Sequence, residues 1–272
     1  MQEVILRFQG LKFIVPKETE CFWPYYGICF VGEYDPILSH IRSSDVVVDA
    51  GANIGIFTLL AARKARLVIA VEPDPENFKY LKRNVRLNRV ENVVLINEAL
   101  SDYVGEGRIS GRGLSAVLSP NKGTTVKVTT IDAMLRRLRA TKVDVVKMDI
   151  EGEEVKGLQG EYLSKVRELM VEVHNEKDDI AIRTMLETYG FTVSEWSFSS
   201  LKVLVKILAN LGSFINAELR NGFMASTLAL KYILGLSSHP VPAAKKTSKI
   251  RLLYASRGAK AICHVAYHDA WE

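Results

Sequence analysis

Val46 to Gly55 reads VVVDAGANIG, and this stretch decides the fold. Val46, Val47, Val48 and Ala50 make a continuous apolar run around Asp49, the pattern of a strand buried on both faces of a parallel sheet. A glycine turn follows at once and opens a helical stretch from Ile56 to Arg63. Gly51 permits a sharp turn, and Gly55 lets the helix start pack close to the strand and to a ligand held there. The stretch therefore predicts a cofactor loop, with Asp49, Gly51, Ala52, Asn53 and Gly55 as its binding residues. Its glycine spacing is not the Gly-x-Gly-x-x-Gly of nicotinamide dehydrogenases, which counts against hydride transfer.

Outward from the loop, strands and helices alternate, which predicts a parallel sheet with helices on both faces. Leu67 to Val71 is a second apolar strand, ending in Glu72, Pro73 and Asp74. An acid about 20 residues beyond such a loop is placed to accept hydrogen bonds from both hydroxyls of a ribose, which makes Glu72 the candidate. Asp74, before Pro75, reads instead as the cap of a helix running to about Leu87. Val93 to Ile96 is a third strand, and Asn97 to Asp102 reads as a polar turn. Gly105, Gly107, Gly111 and Gly113 break the chain into hairpin pieces before Thr125 to Thr129, and Arg108 and Arg112 there are weak candidates for clamping an anion.

Val143 to Met148 is the fourth strand, tipped by Asp149, Ile150, Glu151 and Gly152. Two carboxylates at the carboxyl end of the sheet fall where open α/β sheets bind ligands. Glu151, Glu153 and Glu154 also suit a helix start, where the dipole favours acids. The fifth strand, Glu168 to Val173, brings Glu172 and His174 to the same end. A histidine beside carboxylates is a candidate proton acceptor near neutral pH. Upstream, the aromatic segment Phe22 to Val31 enters just before the first core strand. It is placed to cover the ligand, with Glu33 and Tyr34 as candidate contacts.

The segments VVVDAGANIGIFTLLAA, VIAVEPDPENFKYLKRNVRLN, NVVLINEALSD, VTTIDAMLRRLRATKVDVVKMDIEGEEVKGLQG and LMVEVHNE resemble the FkbM family of S-adenosylmethionine-dependent methyltransferases. The resemblance runs from about Asp45 to Trp196, and Leu252 to Ser256, LLYAS, is similar to the family's closing strand. It implies a class I methyltransferase fold, an α/β Rossmann-like sheet of seven strands with the last antiparallel and helices on both faces. It also implies S-adenosyl-L-methionine as cofactor. The Gly51 to Gly55 loop would face its methionine part, Glu72 and Pro73 its ribose, and Leu100 and Ser101 its adenine. Asp149 and Glu151 would lie near the transferred methyl, and Glu172 and His174 match the family's acidic-x-histidine pattern. The expected activity is O-methylation of a hydroxyl on a sugar, glycolipid or other small molecule.

A sulfonium methyl is already activated, so the protein must mainly align nucleophile, carbon and sulfur. A hydroxyl must also lose its proton, to Asp149, Glu151 or His174 as base, or with help from a divalent cation on the carboxylates. No sequence feature chooses between base and cation, and no metal is assigned. The Asn/Asp-Pro-Pro-aromatic signature of enzymes that methylate base amines is absent after the fourth strand, where MDIEG stands. None of Cys21, Cys29 and Cys263 falls at a core-strand tip, which counts against a covalent cysteine mechanism.

At 272 residues, 48% hydrophobic and 25% charged, the chain has room for one decorated α/β domain. The expected organisation is an N-terminal cap over 1–44 and a methyltransferase domain over 45–272. Three cysteines at no metal-ligand spacing suggest a reducing compartment. Glu3 and Arg7 interrupt any early signal peptide, and no apolar run reaches the roughly 18 residues of a spanning helix. The expectation is a cytoplasmic protein, peripheral on a membrane at most.

The net charge of +5 is concentrated at about 197–248, which holds six basic residues (Lys202, Lys206, Arg220, Lys231, Lys245, Lys246) and one acid, Glu218. This basic, helical insert departs from the family pattern, where a hairpin would join the sixth and seventh strands. Leu201, Leu204, Val205, Leu208 and Leu211 fall on one face of a helix ending near Gly212, with Lys202 and Lys206 off it. The insert could close as a lid over a small-molecule or glycan acceptor, rest on an anionic membrane, hold RNA, or form a homodimer interface. An RNA methyltransferase and a catalytically silent cofactor-binding scaffold are therefore the alternative functions. In the tail, His264 and His268 at i and i+4 offer a thin case for metal, since the same run alternates like a strand.

Overall fold

The computed structural model describes residues 2–17, 22–111, 117–119, 122–197, 200–221 and 251–257. Cys21, Arg112, Lys231, Lys245, Lys246, Cys263, His264 and His268 lie outside the described residues, as does the expected continuation of the insert beyond 221.

Strands β1 (Glu3–Phe8) and β2 (Leu11–Pro16) pair antiparallel around Gln9 and Gly10. The aromatic stretch forms α1 (Trp23–Tyr26), which runs into a π-helical turn, Gly27–Val31, ended by Gly32 at φ 86°. Such widened turns recur beside functional sites. Helix α2 (Asp35–His40) follows.

The core then alternates β3 (Val46–Ala50), α3 (Ile56–Ala62), β4 (Leu67–Val71), α4 (Pro75–Leu87) and β5 (Val93–Ile96). Asp74 caps α4 as expected, accepting the N–H groups of Glu76 and Asn77 at 2.9 Å each. The polar turn expected over 97–102 contains instead a short strand, β6 (Ala99–Leu100). With β7 (Gly105–Ser110), β8 (Val117–Leu118) and β9 (Thr124–Thr129) it forms a separate four-stranded sheet. Ala99 is drawn in by a small apolar cluster with Ile109, Val126 and Val128. Helix α5 (Ile131–Arg137), strand β10 (Val145–Met148), helix α6 (Glu154–Gly157), strand β11 (Glu168–Val173), helix α7 (Glu176–Thr188) and strand β12 (Thr192–Trp196) complete the alternation. After helices α8 (Ser200–Ala209) and α9 (Leu211–Asn221), strand β13 (Arg251–Ser256) closes the sheet.

The main sheet has seven strands in the order β12-β13-β11-β10-β3-β4-β5, and β13 runs antiparallel to both its neighbours. This is the class I methyltransferase topology. The chain leaves β3 toward β4 and returns on its other side as β10, so a crevice opens at the carboxyl ends of β3 and β10.

Helices α8 and α9 pack on the N-terminal layer. Val203, Ile207 and Ala217 are buried there, Phe214 meets Phe30 edge-on at 5.2 Å, and Tyr26 donates its hydroxyl hydrogen to Glu218 at 2.7 Å. The break between the two helices falls at Asn210, and Gly212 lies inside α9. Leu201, Leu204, Val205, Leu208 and Leu211 share an exposed face. Lys206 is not a free cation: its ammonium pairs with Asp35 and reaches the Ile28 carbonyl at 3.3 Å. Lys202 lies over the Trp196 ring at 5.5 Å. No helix among the described residues is long and apolar enough to cross a membrane.

Candidate active site

All five residues of β3 are buried, and its tip continues into the glycine loop. The Gly51 and Ala52 N–H groups donate to the Val71 carbonyl at 3.0 and 2.9 Å, pinning the loop to the end of β4. Gly51 has φ 75°, and a Cβ on it would stand 1.7 Å from the Asp149 carbonyl oxygen, so only glycine lets the two strand tips approach. Asn53 is also left-handed, at φ 52°, a conformation asparagine tolerates. Its N–H donates to Glu72 at 2.7 Å.

Glu72 also accepts from the Asp74 N–H at 2.9 Å and the Asn77 amide at 3.3 Å. Despite these donors, burial pushes its pKa up to about 7. Pro73 follows it, and its carbonyl accepts from the Asn97 amide at 3.2 Å. Leu100 is buried at the end of β6, and the Ser101 hydroxyl donates to Glu153 at 2.6 Å, bringing that segment against the turn after β10. Glu72 is thus tied to the glycine loop, and Ser101 to the turn after β10.

On the other side the turn after β10 is sharply folded, with Glu151 at φ 54° and Gly152 at φ 98°. Glu154 holds it together: its fully buried carboxylate accepts the N–H groups of Ile150 and Gly152 at 3.1 Å each. One of its oxygens lies 3.3 Å from His174 Nδ1. Three more carboxylates face His174 Nε2, those of Glu151 at 3.5 Å, Glu172 at 3.8 Å and Asp149 at 4.0 Å. Burial disfavours the imidazolium, but Glu154, Asp149 and Glu172 outweigh it and push the His174 pKa up to about 10. This corrects the expectation of a proton acceptor near neutral pH, because the ring is already protonated there. Glu172, which accepts from the Tyr34 hydroxyl at 3.2 Å, is held well above the usual carboxylate range by burial and by Asp149.

The N-terminal segment reaches the site as expected. Glu33 packs on Gly27, where a Cβ would overlap its carboxylate, and burial together with Asp149 pushes its pKa up to about 8. Tyr34 is buried against Phe57, with Lys147 5.4 Å from its ring centre. Arg108, by contrast, is an exposed residue of β7.

The sequence reading passed over Lys147 and assigned Glu154 only a helix-start role. Lys147 is buried between Asp49 at 3.5 Å and Asp149 at 3.6 Å, and its ammonium donates to the Gly51 carbonyl at 2.7 Å. Burial works against its charge, but the two aspartates more than offset this and raise its pKa. The signal was available: a lysine inside the apolar run VVKM of a core strand must find a counter-ion.

The family model for the methyltransferase FkbM domain matches residues 49–193. The chain belongs to the FkbM methyltransferase family. Two curated methyltransferases are similar to the chain. "Methyltransferase 1" of Beauveria bassiana is 28% identical over 203 residues, covering 59% of this chain and 79% of that protein. The "Hexuronic acid methyltransferase AglP" of Haloferax volcanii is 31% identical over 166 residues, covering 57% of this chain and 68% of that protein. Among solved structures, the Methanocaldococcus jannaschii tRNA m1G37 methyltransferase superposes with a TM-score of 0.50 at 16% identity, covering 95% of this chain and 57% of that one. At that identity the likeness concerns the fold alone.

Proposed function

We propose that this FkbM protein transfers a methyl group from S-adenosylmethionine to a hydroxyl of a polyhydroxylated acceptor of the sugar or glycan class. The observation that carries the reading is the gathering of Glu33, Asp149, Glu151 and Glu172 around His174 and Lys147 at the switch point. Carboxyl groups outnumber cations there, and burial, with Asp149 beside it, pushes Glu33 up to about 8. Such a surface, rich in carboxyl oxygens, suits hydroxyl donors.

The glycine loop and Glu72 fit the cofactor. The loop turns through left-handed Gly51 and Gly55, packed against the Asp149 carbonyl and Leu81, and Glu72 is a buried carboxylate beside it. When bound, the cofactor supplies a methyl already activated by its sulfonium. The chain's own part is to align the acceptor hydroxyl and accept its proton on the carboxylate of Asp149 or Glu151. The hexuronic acid methyltransferase relative supports a sugar acceptor.

Labelled methyl transfer into a cell extract, fractionated into lipid, glycan, protein and RNA pools, tests the proposal. Label in glycan or lipid-linked glycan, lost in Asp149→Asn, is the expected result. Label released by nuclease would replace it with RNA methylation, the reading that the basic balance of the insert keeps in view.

A further inference from the structure

Two atoms in the His174 cluster, Asp149 Oδ1 and His174 Nδ1, are buried with no hydrogen bond. A buried polar atom left unsatisfied is costly, and two of them in one cluster call for a common partner. Asp149, Glu154 and His174 each present a ligand atom, and the three atoms lie within 4.8 Å of one another. Ligands about 2.1 Å from a metal and about 90–110° apart are separated by about 3.0–3.4 Å. His174 Nδ1 and Glu154 already stand at 3.3 Å.

We propose that Asp149, Glu154 and His174 form a binding site for a divalent cation of the Mn2+ or Mg2+ class, which takes the place of the proton on His174 Nδ1 and releases it to solvent. The surroundings have the form such sites take. A metal-bound imidazole donates its other N–H to a carboxylate, and Nε2 of His174 faces Glu151 at 3.5 Å and Glu172 at 3.8 Å. A ligating carboxylate is itself oriented by hydrogen bonds, and Glu154 accepts the Ile150 and Gly152 N–H groups. Two carboxylates and one imidazole, with no thiolate, favour a hard cation and leave coordination positions open. The open positions would take an acceptor hydroxyl and ease the loss of its proton to a neighbouring carboxylate. This role rests on the hydroxyl-methylation reading above, whereas the binding site itself does not.

The test is titration of the chelator-treated, dialysed full chain with MnCl2, following free Mn2+ by its paramagnetic resonance signal, without cofactor or acceptor. The expected result is saturable binding of a single Mn2+, weakened about tenfold or more in Asp149→Asn and in His174→Gln. Absence of saturable binding by the wild type at millimolar Mn2+ would overturn the site whether or not the variants fold. So would binding that both variants, checked for folding by circular dichroism, leave unchanged. Saturable Mn2+ binding without methyl transfer to glycan would support the site and remove the acceptor reading. Transfer to glycan that persists in chelator would support the acceptor reading and overturn the cation's part in deprotonating the hydroxyl.

Discussion

At the scale of single residues, the cofactor crevice combines a backbone constraint with a buried acid. A methyl group on Gly51 meets backbone, the Asp149 carbonyl, whereas one on Gly55, φ 93°, meets the movable end of Leu81 at 2.6 Å. Gly51→Ala is therefore expected to cost about 3 kcal/mol or more and to abolish cofactor binding, and Gly55→Ala about 1–2 kcal/mol. Urea denaturation of the two variants checks the order. Glu72 carries a pH signature. Its folded pKa lies near 7, above that of an exposed glutamate, so between about pH 4.5 and 7 the folded chain holds a proton the unfolded chain has lost. That contribution falls as pH rises across this window. Removing the carboxyl removes the slope, so Glu72→Gln should gain about 3 kcal/mol relative to wild type between about pH 4 and pH 8. The charged groups facing Glu72 are Asp74 on its own turn and Lys147 from β10, and both remain in the variant. If the Glu72 carboxylate holds the ribose, cofactor affinity rises with pH through about 7. Calorimetric titration at pH 6 and 8 measures it, and equal affinities would remove that role.

At the scale of elements, burial rather than composition decides what the insert contributes. Phe214 of α9 sits edge-on to both Phe30 and Tyr26, while Leu219 of the same helix is 65% exposed. Phe214→Ala should cost about 2 kcal/mol and speed proteolysis within α8 and α9, and Leu219→Ala should stay within about 0.5 kcal/mol of wild type. The same contrast explains what could be read from sequence. Strand β3 and its loop were legible because burial on both faces demands a continuous apolar run and a positive φ demands glycine at 51 and 55. The period of α8 was legible too, but not its orientation. The longer apolar face, Leu201 to Leu211, points outward, and Val203 and Ile207 point in, because Lys206 beside them finds Asp35 and the Ile28 carbonyl on the N-terminal layer. Lys147 and Glu154 gain their roles from partners on other elements, Asp49 on β3 and His174 after β11, and no local pattern encodes such pairings.

At the scale of the whole molecule, the N-terminal 44 residues can be tested as a cap separate from the methyltransferase sheet. The packing argues for one cooperative body. A single apolar cluster joins Leu6, Phe13, Tyr25 and Phe30 of the N-terminal segment to Val47 of β3, Val145 of β10, and Val203 and Ile207 of α8. Crosslinks reinforce it: Asn84 of α4 and Asn88 just beyond its end bond the backbone of β2, and Arg83 pairs with Glu3. A layer tied in this way cannot unfold without exposing the sheet face beneath it, so unfolding should be a single transition. Two tryptophans report on opposite ends of the argument, Trp23 in α1 and Trp196 at the end of β12. With Trp271 and one of the pair replaced by phenylalanine in turn, fluorescence-monitored urea unfolding of the two variants should agree with each variant's own circular dichroism midpoint. Earlier loss of the Trp23 signal than of helical signal in the same variant would show the N-terminal segment to be an independent cap. Coincidence would instead mean that Glu33 and Tyr34 are carried into the site by the same folding event that builds the sheet.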